Sequence, residues 1–151
     1  MITKEQLEAA KTRSTFSEKE SKKMKDDAIT EYRTSLFTNT KPFCRFISKS
    51  MQVNKGSFNL MVEMLNNGHV FVPDKTLVNG LVVTLVFEKS EKEKKREEAL
   101  IRKQVEIAYQ AEIEEANEAY KRLEAQAQEE LEAIEYQIKT LQADREYISS
   151  L

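Results

Sequence analysis

The amino-acid sequence predicts an α+β protein with an N-terminal helix, a small antiparallel β-meander and a long C-terminal helix that forms a coiled coil. Three observations support this class. Apolar residues recur at helical spacing early in the chain, all three glycines lie in turn signals in its middle, and residues 89–151 contain neither Gly nor Pro. We expect a small head over residues 1–89 and one amphipathic helix of about 60 residues over 90–151.

The first part of the chain carries two helix-start signals. Thr3–Gln6 and Ser17–Glu20 each have the form of a capping box, in which two side chains satisfy free backbone N–H groups. After the second signal, an apolar stripe recurs every four residues, at Met24, Ala28, Tyr32 and Leu36. This stripe predicts a helix from about 18 to 37, which ends before Pro42 because proline cannot continue a helix.

The middle of the chain predicts four antiparallel strands in meander order. An Asn precedes each glycine closely, and both residue types tolerate the positive φ that hairpin turns need. The predicted strands span about 43–53, 57–65, 69–78 and 81–88. The last is apolar on both faces, as a central strand would be, and Pro73 predicts a break in the third. The alternative for the second strand is a short helix over 58–66 that Ser57 caps, and periodicity is compatible with both.

The last segment has the strongest helical signal and begins with a third capping box, Ser90–Glu93. Its apolar stripe follows steps of three and four with one extra step of four, the pattern of a coiled coil with a stutter. The stripe consists of Ile113, Ala116, Tyr120, Leu123, Ala127, Leu131, Ile134, Ile138, Leu141 and Ile148. Because so long an apolar ridge associates in water, we expect these residues to form a homo-oligomer interface. The alternative is packing on the chain's own N-terminal helix and sheet, although a helix over 18–37 could cover only about 30 Å of a stripe about 90 Å long.

The sequence offers few residues for catalysis. His69 is the only histidine and Cys44 the only cysteine, so His and Cys zinc sets are impossible within one chain. The glycine-rich phosphate loops of nucleotide-binding proteins have no counterpart. Glu63, which interrupts an apolar run, is the one acid that stands out, and a polar strand face explains it equally well. We therefore expect no enzymatic activity, no cofactor and no metal site.

The basic front of the chain supports one alternative function. Residues 1–56 carry 12 Lys and Arg against 7 Asp and Glu, whereas residues 89–151 carry 11 against 16. Cations and aromatics mix near the predicted first strand, and single-strand nucleic-acid binders combine such groups to track the backbone and stack on bases. The candidate contacts are Lys41, Phe43, Arg45, Phe46, Lys49 and Lys55. Phe43 and Phe46 fall on opposite faces of a regular strand, so only one of them could stack beside Arg45.

The combined pattern predicts a non-enzymatic protein-interaction and assembly protein that acts through a coiled-coil helix. An adaptor, an inhibitor, an assembly chaperone and a virion accessory component share this character, and single-stranded nucleic-acid binding is the alternative. The longest apolar run is far shorter than the ~20 residues of a membrane span, and the N-terminus lacks the apolar core of a signal peptide. We expect a cytoplasmic or virion-associated protein, with another protein as a further partner at the basic N-terminal part.

Overall fold

The computed structural model describes residues 1–35 and 43–151. This part of the chain contains the helices α1 (Lys4–Arg13), α2 (Glu18–Thr34), α3 (Lys55–Asn66) and α4 (Glu91–Ser150). It also contains the strands β1 (Phe46–Gln52), β2 (Val70–Phe71), β3 (Leu77–Asn79) and β4 (Val82–Glu88), with a 3-10 turn at Pro73–Lys75. The predicted α+β class is confirmed, including the antiparallel sheet and the single long C-terminal helix.

The N-terminal helices begin where the capping signals predict. Thr3 Oγ1 accepts from the Gln6 N–H at 3.2 Å, and Gln6 Oε1 accepts from the Thr3 N–H at 2.9 Å, which completes the capping box. Helix α2 begins at Glu18, directly after Ser17. The predicted end of this helix, from 36 to Pro42, lies outside the described residues.

The predicted strand over 57–65 is wrong, because these residues belong to α3. The Asn54 side chain caps this helix by accepting from the N–H groups of Gly56 at 2.8 Å and Ser57 at 3.3 Å, while Ser57 Oγ accepts from the Asn54 N–H. The alternative of a short helix is therefore correct, although its cap is Asn54 instead of Ser57. Alternating apolar residues misled the strand prediction because α3 is apolar on two sides, and such a helix also satisfies a period of two.

The meander order is also wrong, since β1 pairs with β4 and not with the element that follows it. The antiparallel register runs from Phe46 opposite Glu88 to Gln52 opposite Val82. Strands β2 and β3 both pair with the other side of β4, so the strand predicted to be central is central. The predicted third strand divides into β2 and β3 at Pro73, as the proline indicated, because its nitrogen has no hydrogen to donate.

The core of the sheet lies between β4 and α3. Alternate residues of β4 point to this side, where they form one cluster with a helix residue: Met64, Val83, Leu85 and Phe87. Phe87 is fully buried, and its ring centroid lies 5.6 Å from that of Phe71. A single aromatic side chain of this size contributes ~2–3 kcal/mol through its buried area, which makes Phe87 the main anchor of the sheet.

The contacts between residues divide the chain into two compact units. The first comprises Met1–Glu18 with Ala108–Leu151, and the second comprises Lys19–Ile107. Helix α4 contributes residues to both units. The predicted division into a head over residues 1–89 and a helix over 90–151 stays a prediction.

Candidate protein-interaction surfaces

In the first unit, α1 and its flanking residues lie antiparallel along α4. The Ile2 N–H, just before α1, donates to the Glu130 carboxylate at 2.9 Å. Beyond the other end of α1, the Ser17 N–H donates to the Tyr109 hydroxyl at 3.1 Å, and the Phe16 ring centroid lies 5.2 Å from that of Tyr109. The α4 stretch from Tyr109 to Glu130 is therefore flanked by the chain's own N-terminal segment.

This contact changes the role of the first half of the predicted interface. The five predicted positions on this stretch are half-buried within the chain: Ile113, Ala116, Tyr120, Leu123 and Ala127. Ala116 lines a shallow pocket together with Ala10 and Arg13 of α1. Part of the stripe thus packs intramolecularly, which is the alternative weighed for the long helix, although the covering helix is α1.

The second half of the predicted interface is more exposed. Leu131 is 56% exposed, Ile138 48%, Leu141 67% and Ile148 68%. Ile134 is half-buried. We call these five residues the terminal seam. They span 18 residues, and about 26 Å of helix separates the first from the last. Isolated exposed apolar residues are ordinary, but a continuous row of them marks an association surface.

The second unit exposes apolar residues whose exposure was not predicted from the sequence. On α3, Phe58, Val62 and Leu65 follow helical spacing and are each about half exposed or more, whereas Met64 of the same helix is buried in the core. The strand prediction placed Phe58 and Val62 on a buried face with Met64, so only the helical alternative could have found this surface. Leu77 and Val78 of β3 are exposed as well, together with Leu81 in the turn that leads to β4.

The candidate nucleic-acid contacts do not form an open stacking platform in the described residues. Phe46 is only 7% exposed, with the Arg45 guanidinium 4.7 Å and the Lys75 ammonium 5.0 Å from its ring centroid. A ring that is buried beneath two cations has no face left for a base. Phe43 and Arg45 are half-buried, Lys49 and Lys55 are exposed, and Lys41 lies outside the described residues.

A buried polar cluster joins α2 to α4 in the second unit. The Glu97 carboxylate, in a residue only 5% exposed, pairs with the Lys89 ammonium and accepts a hydrogen bond from the Tyr32 hydroxyl. Burial, together with the hydrogen bond to Glu97, raises the pKa of Tyr32 far above its usual value, so this hydroxyl stays protonated and acts as a donor. All three groups have partners, which is how an interior tolerates charge. The cluster therefore holds two helices together.

Two further residues singled out by the sequence have structural positions. His69 Nδ1 accepts from the Ser90 N–H at 3.0 Å, and Ser90 Oγ accepts from the Glu93 N–H at 3.2 Å. The predicted capping box is thus half formed, because His69 takes the backbone N–H that a Glu93 side chain would satisfy. Glu63 lies on an exposed position of α3.

Within residues 1–35 and 43–151, no group of three or more His, Cys, Asp or Glu side chains is arranged to hold a metal ion. None of the helices described is long and apolar enough to cross a membrane. Comparisons with protein-family models, curated proteins and solved structures find no match to this chain.

Proposed function

We propose that this chain is a non-enzymatic protein-interaction and assembly protein that self-associates through the terminal seam. The observation that carries this proposal is the row of apolar side chains from Leu131 to Ile148, which begins directly after Glu130, where the contact with the N-terminal segment ends. Pairing with a second helix would bury this row in the manner of a coiled coil.

The magnitude of this burial favours a reversible complex. A fully buried Leu or Ile contributes ~1.5–3 kcal/mol, so the exposed part of each seam residue is worth about 1 kcal/mol. Two copies together would gain on the order of 10 kcal/mol, against an association cost of ~4–15 kcal/mol. Because the two quantities are similar, we expect an equilibrium between monomer and dimer that depends on concentration.

The proposal covers a group of biological roles that share this physics. Adaptors, inhibitors, assembly chaperones and virion accessory components all act by presenting such surfaces to other chains. The exposed face of α3 with Phe58, Val62 and Leu65 offers a second surface to a different protein. A location in the cytoplasm or in a virion is part of the proposal, because the free cysteine Cys44 fits a reducing compartment.

Sedimentation equilibrium from about 1 to 100 µM tests self-association, since this range brackets a micromolar dissociation constant. We expect the weight-average mass to rise above the monomer value of 17.5 kDa as concentration increases. Leu141→Asp would bury an unpaired carboxylate in the seam, which costs several kcal/mol, and should keep the chain monomeric over this range.

Glu132→Lys is the matched control, because Glu132 is exposed and lies about 180° around the helix from Leu141. We expect it to leave the dissociation constant unchanged within about threefold, as surface substitutions usually do. A chain that ends at Glu130 keeps the contact with Ile2 and should be monomeric. A wild-type protein that stays at the monomer mass throughout the range would refute the proposal.

A further inference from the structure

The terminal seam contains one position that discriminates between the two helix orientations of a dimer. After Leu141, the next seam position at a step of four is Arg145, which precedes Ile148 by three residues. In a parallel pair in register, equivalent core positions face each other, so Arg145 would meet Arg145 of the second copy. Two guanidinium groups in contact within an apolar seam repel each other at low dielectric.

The flanking acids oppose the parallel orientation as well. Glu130 and Glu135 border the seam on its two sides and are five residues apart, the spacing at which flanking positions of parallel chains meet. A parallel pair would therefore place Glu130 against Glu135 of the second copy, and the two-fold axis would repeat this contact. In the parallel orientation, the contact between the two Arg145 side chains and the contact between Glu130 and Glu135 would therefore each bring like charges together.

An antiparallel pair removes each of these conflicts. When Leu131 lies opposite Ile148 of the second copy, Ile138 lies opposite its Leu141, and Arg145 lies opposite its Ile134. The aliphatic stem of Arg145 can then cover Ile134 of the second copy while its guanidinium reaches the adjacent Glu135. The two-fold axis gives two such ion pairs, and the remaining flanking contacts pair Glu135 with Gln142 and Gln137 with Asp144, without like charges.

The chain's own packing supplies an independent argument for this orientation. The segment from Ile2 to Ser17 already lies antiparallel on α4, and its contacts end at Glu130. A second copy of α4 whose contact begins at Leu131 would cover the part of the stripe that the N-terminal segment leaves exposed. It would run antiparallel to α4, as that segment does.

We propose that two copies of this chain pair antiparallel through residues 131–148, with Leu131 of each opposite Ile148 of the other and Arg145 paired with Glu135. This inference rests on the proposed self-association and adds the orientation, the register and the charged contact that selects them.

Disulfide trapping in the full chain distinguishes the orientations. In a Cys44→Ser background, Leu131→Cys and Ile148→Cys are made separately, and one of the two carries an affinity tag so that the mixed dimer has its own mass. The two positions are about 26 Å apart along the helix, whereas a disulfide requires Cα atoms within about 7 Å. We expect mild oxidation to produce the mixed dimer when the two variants are combined, and little dimer from either variant alone. Glu132→Cys, beside Leu131 but on the outer side, controls for random collisions.

Each outcome has a different meaning. Cross-linking of each variant with itself would overturn the antiparallel orientation and leave self-association in place. A dimer by sedimentation that forms none of these disulfides would overturn the register. A wild-type chain that is monomeric by sedimentation would overturn the proposed function together with this inference.

Charge reversal gives a second, independent measurement. Arg145→Glu should raise the dissociation constant at least about tenfold, because each ion pair becomes a repulsion. Adding Glu135→Arg should bring the constant back to within about threefold of the wild type. In a parallel dimer Arg145→Glu would exchange one like-charge contact for another and leave the dissociation constant nearly unchanged. An unchanged constant in the single variant, or no recovery in the double variant, would therefore overturn the proposed contact.

Discussion

Replacing Glu97 with Gln should destabilise the second unit by stranding a buried charge. Glu97→Gln keeps the size of the side chain, and its amide oxygen can still accept from the Tyr32 hydroxyl. The amide NH2 group would then face the Lys89 ammonium, which belongs to a side chain only 15% exposed. The substitution therefore leaves a mostly buried cation without its counter-charge.

The expected loss follows from this geometry. Removing one partner of a buried ion pair costs ~3–5 kcal/mol, and the partial exposure of Lys89 places the value near the lower limit, about 3 kcal/mol. For a chain of this size, a loss of about 3 kcal/mol lowers the melting temperature by roughly 6–12 °C. Replacing Lys89 with Met in the same protein removes the stranded charge and should recover at least about 1 kcal/mol.

Urea unfolding followed by circular dichroism measures both losses, and the neighbouring residue provides the control. Glu98 is paired with Arg33, whose side chain is 62% exposed, at 2.7 Å. Glu98→Gln makes the same chemical change at a solvated pair and should cost no more than about 1 kcal/mol. If Glu97→Gln and Glu98→Gln lower the free energy of unfolding equally, the Glu97 cluster is hydrated and does not hold the helices together.

Two further expectations can be measured on the same protein. Because the pKa of Tyr32 is raised in the folded state, its contribution to stability is complete below the ordinary tyrosine pKa of about 10 and is lost as pH rises above it. Tyr32→Phe should therefore flatten the fall in unfolding free energy between about pH 9 and 11, and an unchanged slope would contradict the assignment. For the nucleic-acid alternative, electrophoretic mobility of a single-stranded oligonucleotide should be unaffected by the protein at physiological salt. A salt-dependent shift that disappears in a Lys49→Glu, Lys55→Glu variant would support that alternative.

Local features of the sequence predicted local features of the fold correctly. Thr3 and Gln6 are three residues apart, so their capping box forms from neighbouring atoms and needs no tertiary contact. The absence of Gly and Pro after residue 88 removes the residues that interrupt helices, and α4 accordingly runs from Glu91 to Ser150. The break between β2 and β3 could also be predicted from Pro73 alone, because its nitrogen has no hydrogen to donate to a neighbouring strand.

Features that depend on distant residues could not be predicted in this way. Strand β4 pairs with β1, which lies 30 or more residues earlier in the chain, and the alternation in α3 between them fits a strand equally well. The Glu97 cluster draws on Tyr32 and Lys89, which lie 65 and 8 residues away. In the sequence, Glu97 is one acid among many on a charged helix, and nothing local marks it as buried.

The stripe on α4 shows why periodicity alone does not predict how much of an interface is available to a partner. The sequence places Ile113 and Ile138 in one continuous stripe, because both satisfy the same helical spacing. In the structure, the N-terminal segment lies along α4 as far as Glu130, and Ile113 is already half-buried within the chain. Surface that is removed from water in the monomer adds no hydrophobic free energy when a dimer forms. The affinity of self-association should therefore respond to substitutions in the terminal seam, whereas an equivalent change at Ile113 should lower the stability of the monomer.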